Sequence, residues 1–289
     1  MNAKLMPQMP TIKEWLEFAS KKLLIAGIPT NNLDAEIILA ECLGVGKTYL
    51  HAHPEQLILK SKYNLINKKL NIRSKRLPIA YILGKKEFYG REFRVNKNTL
   101  IPRPESEAIV DSLKEIIQKN DRLTLIDVGT GSGCLGITAK LEFPNIKVTL
   151  IDVSNKALKV AKNNAKLLSA DVCIKKNNLS NKYKEKSDII IANLPYVDKT
   201  WLRSPETAYE PPLALFANEN GISLIKELMA QANSLLNDNG FLIIEADPKQ
   251  HQSLIEYSKK LQFKLIDNIG YVLVFELVSN CADSDAIKS

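Results

Sequence analysis

The tetrapeptide Asn193-Leu194-Pro195-Tyr196 follows the apolar run Ser187-Asp188-Ile189-Ile190-Ile191-Ala192, which reads as a buried strand. Pro195 has no amide N–H for a sheet ladder, so the strand must stop there. Asn193 then stands at the carboxyl end of a strand, where open α/β sheets bind ligands. Its amide accepts through oxygen and donates through nitrogen. Tyr196 supplies a ring face for a planar group. Together these residues suit a flat target that carries an NH2 group. A strand-ending turn made of Asn and Pro is the plainer reading, and the rest of the chain must choose between the two.

A second set points to a nucleotide-like ligand. Asp127-Val128-Gly129-Thr130-Gly131-Ser132-Gly133 lies between a strand candidate, 124–128, and a helix candidate, 135–141. Glycines let the backbone turn sharply and approach a ligand closely, and the start of a helix leaves free amides. The G-x-G-x-G spacing departs from the dinucleotide fingerprint. No Gly-Lys-Ser/Thr follows, which excludes a phosphate-binding P-loop. Asp152 ends the next strand, and a carboxylate there can accept from the hydroxyls of a ribose. Asp127 suits either orienting the loop or meeting an ammonium group. The local alternatives are that Asp127 caps the loop and Asp152 caps the following helix. Loop and acid together imply an adenosine-type cofactor.

These residues need elements to hold them. Residues 11 to about 76 read as helices: Thr11 with Glu14 forms a capping-box pattern, and Trp15, Phe18, Ala19, Lys22 and Leu23 recur at helical spacing up to Gly27. Asn32 is expected to cap a helix over 33–43, with a short helix at 48–51 and a basic one at 61–76. After Pro78 the pattern changes to aromatic and β-branched residues, read as a β-hairpin near 87–96. A helix is expected over 106–119. From Leu123 strands (124–128, 147–152, 172–176, 188–193, 240–245) alternate with helices (135–141, 155–168, 221–236). That alternation predicts a doubly wound, mostly parallel sheet. Residues 263–267 and 271–277 read as a terminal antiparallel hairpin. The expected organisation is a helical bundle, 1–76, a hairpin linker, 77–100, an α/β domain, 101–279, and a polar tail, 280–289.

The chain has 289 residues, 45% hydrophobic and 25% charged, the balance of a soluble globular protein. No apolar run is long enough for a membrane span, and the first ten residues lack a signal-peptide pattern. Cys42, Cys134, Cys173 and Cys281 are scattered without a C-x-x-C pair, which points to reduced thiols in the cytoplasm and to no zinc site. The net charge of +8 fits an acidic or nucleic-acid-rich partner surface, but lysines on solvated helix faces are the favoured account of such a surplus.

Taken with the glycine loop and Asp152, the chain resembles the class I S-adenosylmethionine-dependent methyltransferases, whose seven-stranded sheet ends in an antiparallel hairpin. The resemblance implies S-adenosylmethionine as cofactor. It assigns the loop Asp127, Gly129, Thr130, Gly131, Ser132 and Gly133 to its methionine part, Asp152 to its ribose, and Asn178-Leu179 to its adenine, with Asn193 close to the methyl donor. In that family N/D-x-P-Y/F marks enzymes acting on nitrogens conjugated to a planar system. The Asn193 oxygen and the Leu194 carbonyl would hold the NH2 group, with Pro195 and Tyr196 packed beside it.

Three further blocks narrow the resemblance: Leu77-Pro78-Ile79-Ala80-Tyr81-Ile82-Leu83-Gly84, then Leu100-Ile101-Pro102-Arg103-Pro104-Glu105-Ser106-Glu107, then Tyr209-Glu210-Pro211-Pro212-Leu213-Ala214-Leu215. With Asp34-Ala35-Glu36 and Leu43-Gly44, they are similar to the release factor glutamine methyltransferases. That resemblance implies methylation of the amide nitrogen of the glutamine in Gly-Gly-Gln of peptide chain release factors. The helical domain would dock the factor, and Arg103 and Glu210 would frame the substrate. A monomer is expected, with neither a membrane nor a nucleic acid as partner. Leu194 stands where the family usually has a first proline, and the turn after Asp267 lacks the usual arginines. The rival readings are a ribosomal-protein glutamine methyltransferase and an RNA or DNA adenine N6 methyltransferase.

Overall fold

The computed structural model describes residues 9–118, 120–181 and 183–278; Cys281 and the expected polar tail lie outside them. The chain divides into two compact units. One runs to Gly84 and takes in Ser204–Tyr209. The other comprises Lys85–Arg203 and the remainder from Glu210.

The first unit holds α1 (Ile12–Ile25), α2 (Asn31–Leu43), α3 (Lys47–Ala52), α4 (Lys60–Arg73) and α5 (Ile79–Leu83). The capping box at Thr11 and Glu14 forms as the spacing predicts. Trp15, Leu23, Ile38, Leu39, Ile66 and Leu70 are buried together. Asn32 does not cap α2. It lies inside the helix, where its side-chain oxygen accepts from the Ser20 hydroxyl. Arg73 is buried and needs anions: its Nε donates to Asp34 at 2.6 Å and its Nη1 to Glu206 at 3.1 Å. Arg76 adds a second bond to Glu206 at 2.9 Å. The 204–209 segment is thus held inside this unit by partly buried ion pairs, one of them to the buried Arg73, whose charge would be costly to leave unpaired.

The second unit opens with a hairpin, β1 (Lys85–Phe88) and β2 (Arg91–Arg94), which turns through Tyr89 and Gly90, both in the left-handed region. Such a two-residue turn matches strand twist. Phe88 and Phe93 bury their rings in the core of this unit. Next come α6 (Glu107–Ile116), β3 (Thr124–Val128), α7 (Cys134–Glu142), β4 (Lys147–Asp152), α8 (Asn155–Leu167), β5 (Cys173–Lys176) and β6 (Ser187–Ala192). The series ends with α9 (Ser223–Leu235), β7 (Leu236–Glu245), α10 (Pro248–Lys259), β8 (Phe263–Ile269) and β9 (Val272–Leu277). The seven-stranded sheet has the order β5-β4-β3-β6-β7-β9-β8, with β9 antiparallel to both neighbours. Its central strands are buried on both faces: Ile190 and Ala192 of β6 join one core and Ile189 and Ile191 the other. That is why these strands read as continuous apolar runs.

Two helices depart from expectation. Ser106, expected to begin α6, closes a short 3-10 turn, Pro104–Ser106, with Pro104 at its first position; the helix starts at Glu107 and its described part ends at Ile116. α10 was not anticipated, although Asp247, Pro248 and Gln250 carry a full capping box.

The chain runs β3, β4, β5 toward one edge, then returns to place β6 on the other side of β3. The carboxyl ends of β3 and β6 therefore border the switch in strand order, where doubly wound sheets form a crevice. No helix among the described residues is long and apolar enough to cross a membrane.

Candidate active site

The two sets of residues singled out from the sequence meet at that switch point. A cleft there is lined by Gly129, Gly131, Asp152, Val153, Asn178, Leu179, Asn193, Leu194 and Pro195, together with Leu213 and Leu224. Gly129 (φ +74°) and Gly131 (φ +57°) take conformations that L side chains rarely adopt. A Cβ built on Gly131 would meet nothing nearer than the Gly129 carbonyl at 3.9 Å, so it would project into open space. Asp152 accepts from the Gly131 amide at 2.9 Å and from the Ser154 amide at 2.8 Å, one on each oxygen. Each oxygen keeps a lone pair for a hydroxyl. Burial raises the Asp152 carboxyl above its ordinary value, against the lowering by these backbone amides. Val153 is exposed beside it and offers an apolar face. Leu179, also on the cleft wall, is held at φ +47°, a costly geometry for a leucine. A glycine cradle, a carboxylate with spare acceptors and an apolar wall fit an adenosine bearing an amino-acid chain.

The tetrapeptide lines the same cleft through Asn193, Leu194 and Pro195. Asn193 is half-buried, and both protons of its Nδ2 are used, one on Ser106 Oγ and one on Glu245 Oε2, each at 2.8 Å. Ser106 in turn donates to Glu245 Oε2, and the Tyr196 hydroxyl donates to Glu245 Oε1 at 2.8 Å. Glu245, at the end of β7, is buried with only 1% of its surface exposed. The Tyr196 carbonyl accepts from Gln250 Nε2 at 2.8 Å, and the same nitrogen holds the Asn220 carbonyl at 2.7 Å. Gly221 packs so tightly below that a Cβ there would sit 1.9 Å from the Tyr196 oxygen.

Comparison with known proteins identifies the family. The model described as Methyltransferase small domain matches residues 106–204, and the PrmC N-terminal domain model matches residues 14–84. A release factor glutamine methyltransferase from Koribacter versatilis is 33% identical over 271 residues, 90% of this chain and 95% of that protein. The chain belongs to the release factor glutamine methyltransferase family. A bifunctional methyltransferase of Rickettsia bellii is 35% identical over 276 residues, and there the chain spans about half of the longer relative, 49%. A crystal structure of a methyltransferase from Pyrococcus furiosus, 18% identical, shares the fold with a TM-score of 0.52, covering 74% of this chain and 98% of that one.

Not every residue expected at the site of this release factor glutamine methyltransferase homologue reaches the cleft. Asp127, Thr130, Ser132 and Gly133 are buried and shape the loop from below. Asp127 Oδ2 accepts from the Thr130 hydroxyl and from the Gly136 amide at 2.9 Å, while its Oδ1 is buried without a partner. Burial pushes its carboxyl up to about 6. An ammonium group is the kind of donor that unsatisfied oxygen would suit. Glu210 is buried too, and its oxygens are taken by the Ile101 amide, at 3.0 Å, and by Arg103. It braces the Ile-Pro-Arg-Pro block instead of facing a ligand, and Arg103 pairs with it and not with Glu105.

Leu194 has a physical role of its own. Its side chain is buried in the core beside Val128, Ala192 and Leu179, and its Cδ2 lies against Gly129. Packing thus fixes the position that a proline ring would otherwise fix. The sequence reading missed Glu245 and Ser106. The available signal was the acid ending the run Phe241-Leu242-Ile243-Ile244-Glu245, the same pattern that marks Asp127 and Asp152.

Proposed function

We propose that this chain transfers a methyl group from S-adenosylmethionine to the side-chain amide nitrogen of the glutamine in the Gly-Gly-Gln motif of peptide chain release factors. The observation that carries this is the Asn193 amide at the family's glutamine-methylating tetrapeptide. Its nitrogen is tied inward, so its oxygen is the end left for a substrate NH2 group. When bound, S-adenosylmethionine supplies an electrophilic methyl group. Gly131 would leave room for its methionine part, Asp152 would accept from its ribose hydroxyls, and Val153 and Leu179 would pack on its adenine beside Asn178.

The residues of the chain do the rest. A carboxamide nitrogen is a poor nucleophile because its lone pair is delocalised into the carbonyl. Acceptors on both of its protons, the Asn193 Oδ1 and the Leu194 carbonyl, would hold it in one orientation and favour the pyramidal form that localises the pair. This is catalysis by positioning and fixed dipoles. Tyr196, half-buried beside them, is kept protonated by burial and by the Glu245 carboxylate, which raise its hydroxyl well above its ordinary range. Tyr196 therefore serves as a neutral wall and not as a base. The helical unit is assigned the docking of the factor.

The test is incubation of the purified protein with labelled S-adenosylmethionine and a release factor. Parallel samples contain the same factor with Gln replaced in Gly-Gly-Gln, ribosomal proteins, and ribosomal RNA. Label is expected on the intact factor alone. Label on the Gln-replaced factor, or on RNA with the factor left bare, would overturn the reading.

A further inference from the structure

An asparagine amide is nearly symmetrical in shape, and its two ends do opposite things. For Asn193 to accept from a substrate NH2 group, its oxygen must face the cleft and its nitrogen must face inward. Shape alone does not enforce that choice; the partners behind it must. Three groups from distant parts of the chain converge there: Ser106 from the Pro104–Ser106 turn, Glu245 from the end of β7, and Asn193 itself after β6.

Their bonds form a closed triangle. Ser106 gives its only proton to Glu245 Oε2, which leaves a lone pair on Oγ. Asn193 Nδ2 then finds two acceptors, Ser106 Oγ and Glu245 Oε2, and has two protons to give. With the amide turned over, its oxygen would face a carboxylate oxygen and a hydroxyl whose proton is already committed. No donor would remain for it in a buried place, where unmatched polar groups are expensive. Among the described residues no lysine or arginine pairs with Glu245, so these three donors are what its charge rests on.

We infer that Glu245, acting through its carboxylate and seconded by Ser106, is a positioning residue that sets which end of the Asn193 amide faces the substrate. The inference rests on the reading of Asn193 as the acceptor for a substrate NH2 group. It also gives the Ile-Pro-Arg-Pro-Glu-Ser block a task at the site. Arg103 and the Ile101 amide anchor that block on Glu210, and the block delivers Ser106 to the triangle.

The test uses three variants of the full chain: Glu245→Gln, Asn193→Asp and the two combined. An amide at position 245 keeps the shape but can offer an NH2 group, which lets the Asn193 amide turn over. A carboxylate at position 193 has two equivalent oxygens and needs no orienting, but against Glu245 it sets two carboxylates side by side. In the combined variant the introduced amide donates from its NH2 group to one oxygen of the introduced carboxylate, and the other oxygen faces the cleft. We expect each single change to lower kcat by about 10²-fold, the scale of a misplaced reacting group, with S-adenosylmethionine affinity within about twofold of wild type. The combined variant should recover roughly tenfold over either single change.

The rates are read on whichever acceptor the wild type labels. A wrong acceptor therefore overturns the proposed substrate without touching this inference. A combined variant no more active than the single changes overturns the inference, and so does a Glu245→Gln enzyme with wild-type kcat. If Glu245→Gln does not accumulate as folded protein, Ser106→Ala reads the same triangle: a fall in kcat of several-fold at unchanged cofactor affinity is expected, and an unchanged kcat overturns the inference.

Discussion

Gly221→Ala is the smallest change that strikes the tetrapeptide without touching any of its side chains. A Cβ at this position would lie 1.9 Å from the Tyr196 carbonyl oxygen and 2.5 Å from Gln250 Nε2. Ordinary contact begins near 3.4 Å, so oxygen and methyl must part by 3.4 − 1.9 = 1.5 Å. The Gln250 side chain cannot follow, because its Nε2 is also held by Asn220 and its oxygen accepts from the Asp247 amide. The Gln250–Tyr196 hydrogen bond therefore breaks, at a cost of about 1 kcal/mol. Alanine at φ +89° adds about 1–2 kcal/mol of backbone strain. Together these predict a loss of stability of about 2–3 kcal/mol. The catalytic effect is of similar size, since displacement of a positioning group by about 1 Å costs on the order of 10²-fold in rate, about 2.7 kcal/mol. The nearest neighbours of that Cβ are Tyr196 and Gln250, while Gly131 and Asp152 hold each other through a bond that involves neither residue. Single-turnover methyl transfer at saturating cofactor, read with calorimetric titration of S-adenosylmethionine, measures both halves. A turnover rate within about twofold of wild type would refute the reasoning. A cofactor affinity that falls in step with the rate would show that the two halves of the cleft are not separate.

Asn193→Ala should abolish methyl transfer and leave S-adenosylmethionine affinity nearly unchanged; equal loss of both in activity and binding assays would remove Asn193 from the role of substrate clamp. Leu194→Ala keeps the backbone carbonyl but empties a buried site. It should lower stability by about 2–5 kcal/mol in urea unfolding while harming turnover less than Asn193→Ala does. Asp127 carries a pH signature. Its folded-state carboxyl titrates at about 6 against an ordinary 3.8, so in that window the native state binds a proton that the unfolded state has released. The stability it contributes is full below the ordinary value and is lost as pH rises toward 6, by about 3 kcal/mol across the window. Unfolding midpoints of wild type compared with Asp127→Asn from pH 4 to 7 should converge or cross over that span and run parallel above it; parallel curves throughout would contradict the assignment.

The fold was legible where local pattern and burial coincide. Central strands such as 189–192 are apolar on both faces, and their ends carry Asp127, Asp152 or Asn193, so both the element and the ligand edge could be read. The partners of those residues could not. Asn193 meets Glu245 at 52 positions' distance and Ser106 at 87, and Arg103 meets Glu210 at 107. No local signal carries such pairings. α10 escaped for a different reason. Its stretch Lys249-Gln250-His251-Gln252 is polar, and its stabilising face shows only in the burial of Gln250, His251 and Leu254 against the rest of the unit. Asp127 and Glu210 were recognised as important, yet their burial makes them supports for the cleft and not its lining.

The capture of Ser204–Tyr209 by the helical unit bears on how the chain folds during synthesis. Arg73 finds Asp34 at once, but its second acid, Glu206, lies 133 residues further on. At about 5–20 residues per second that is a wait of roughly 7–27 s. Until then the nascent helices carry a buried guanidinium with one partner missing. They would close, open and stay accessible to chaperones until the strand that ends at the active site has already emerged. The amino-terminal unit is first in order of translation, yet it is completed only by residues that follow β6.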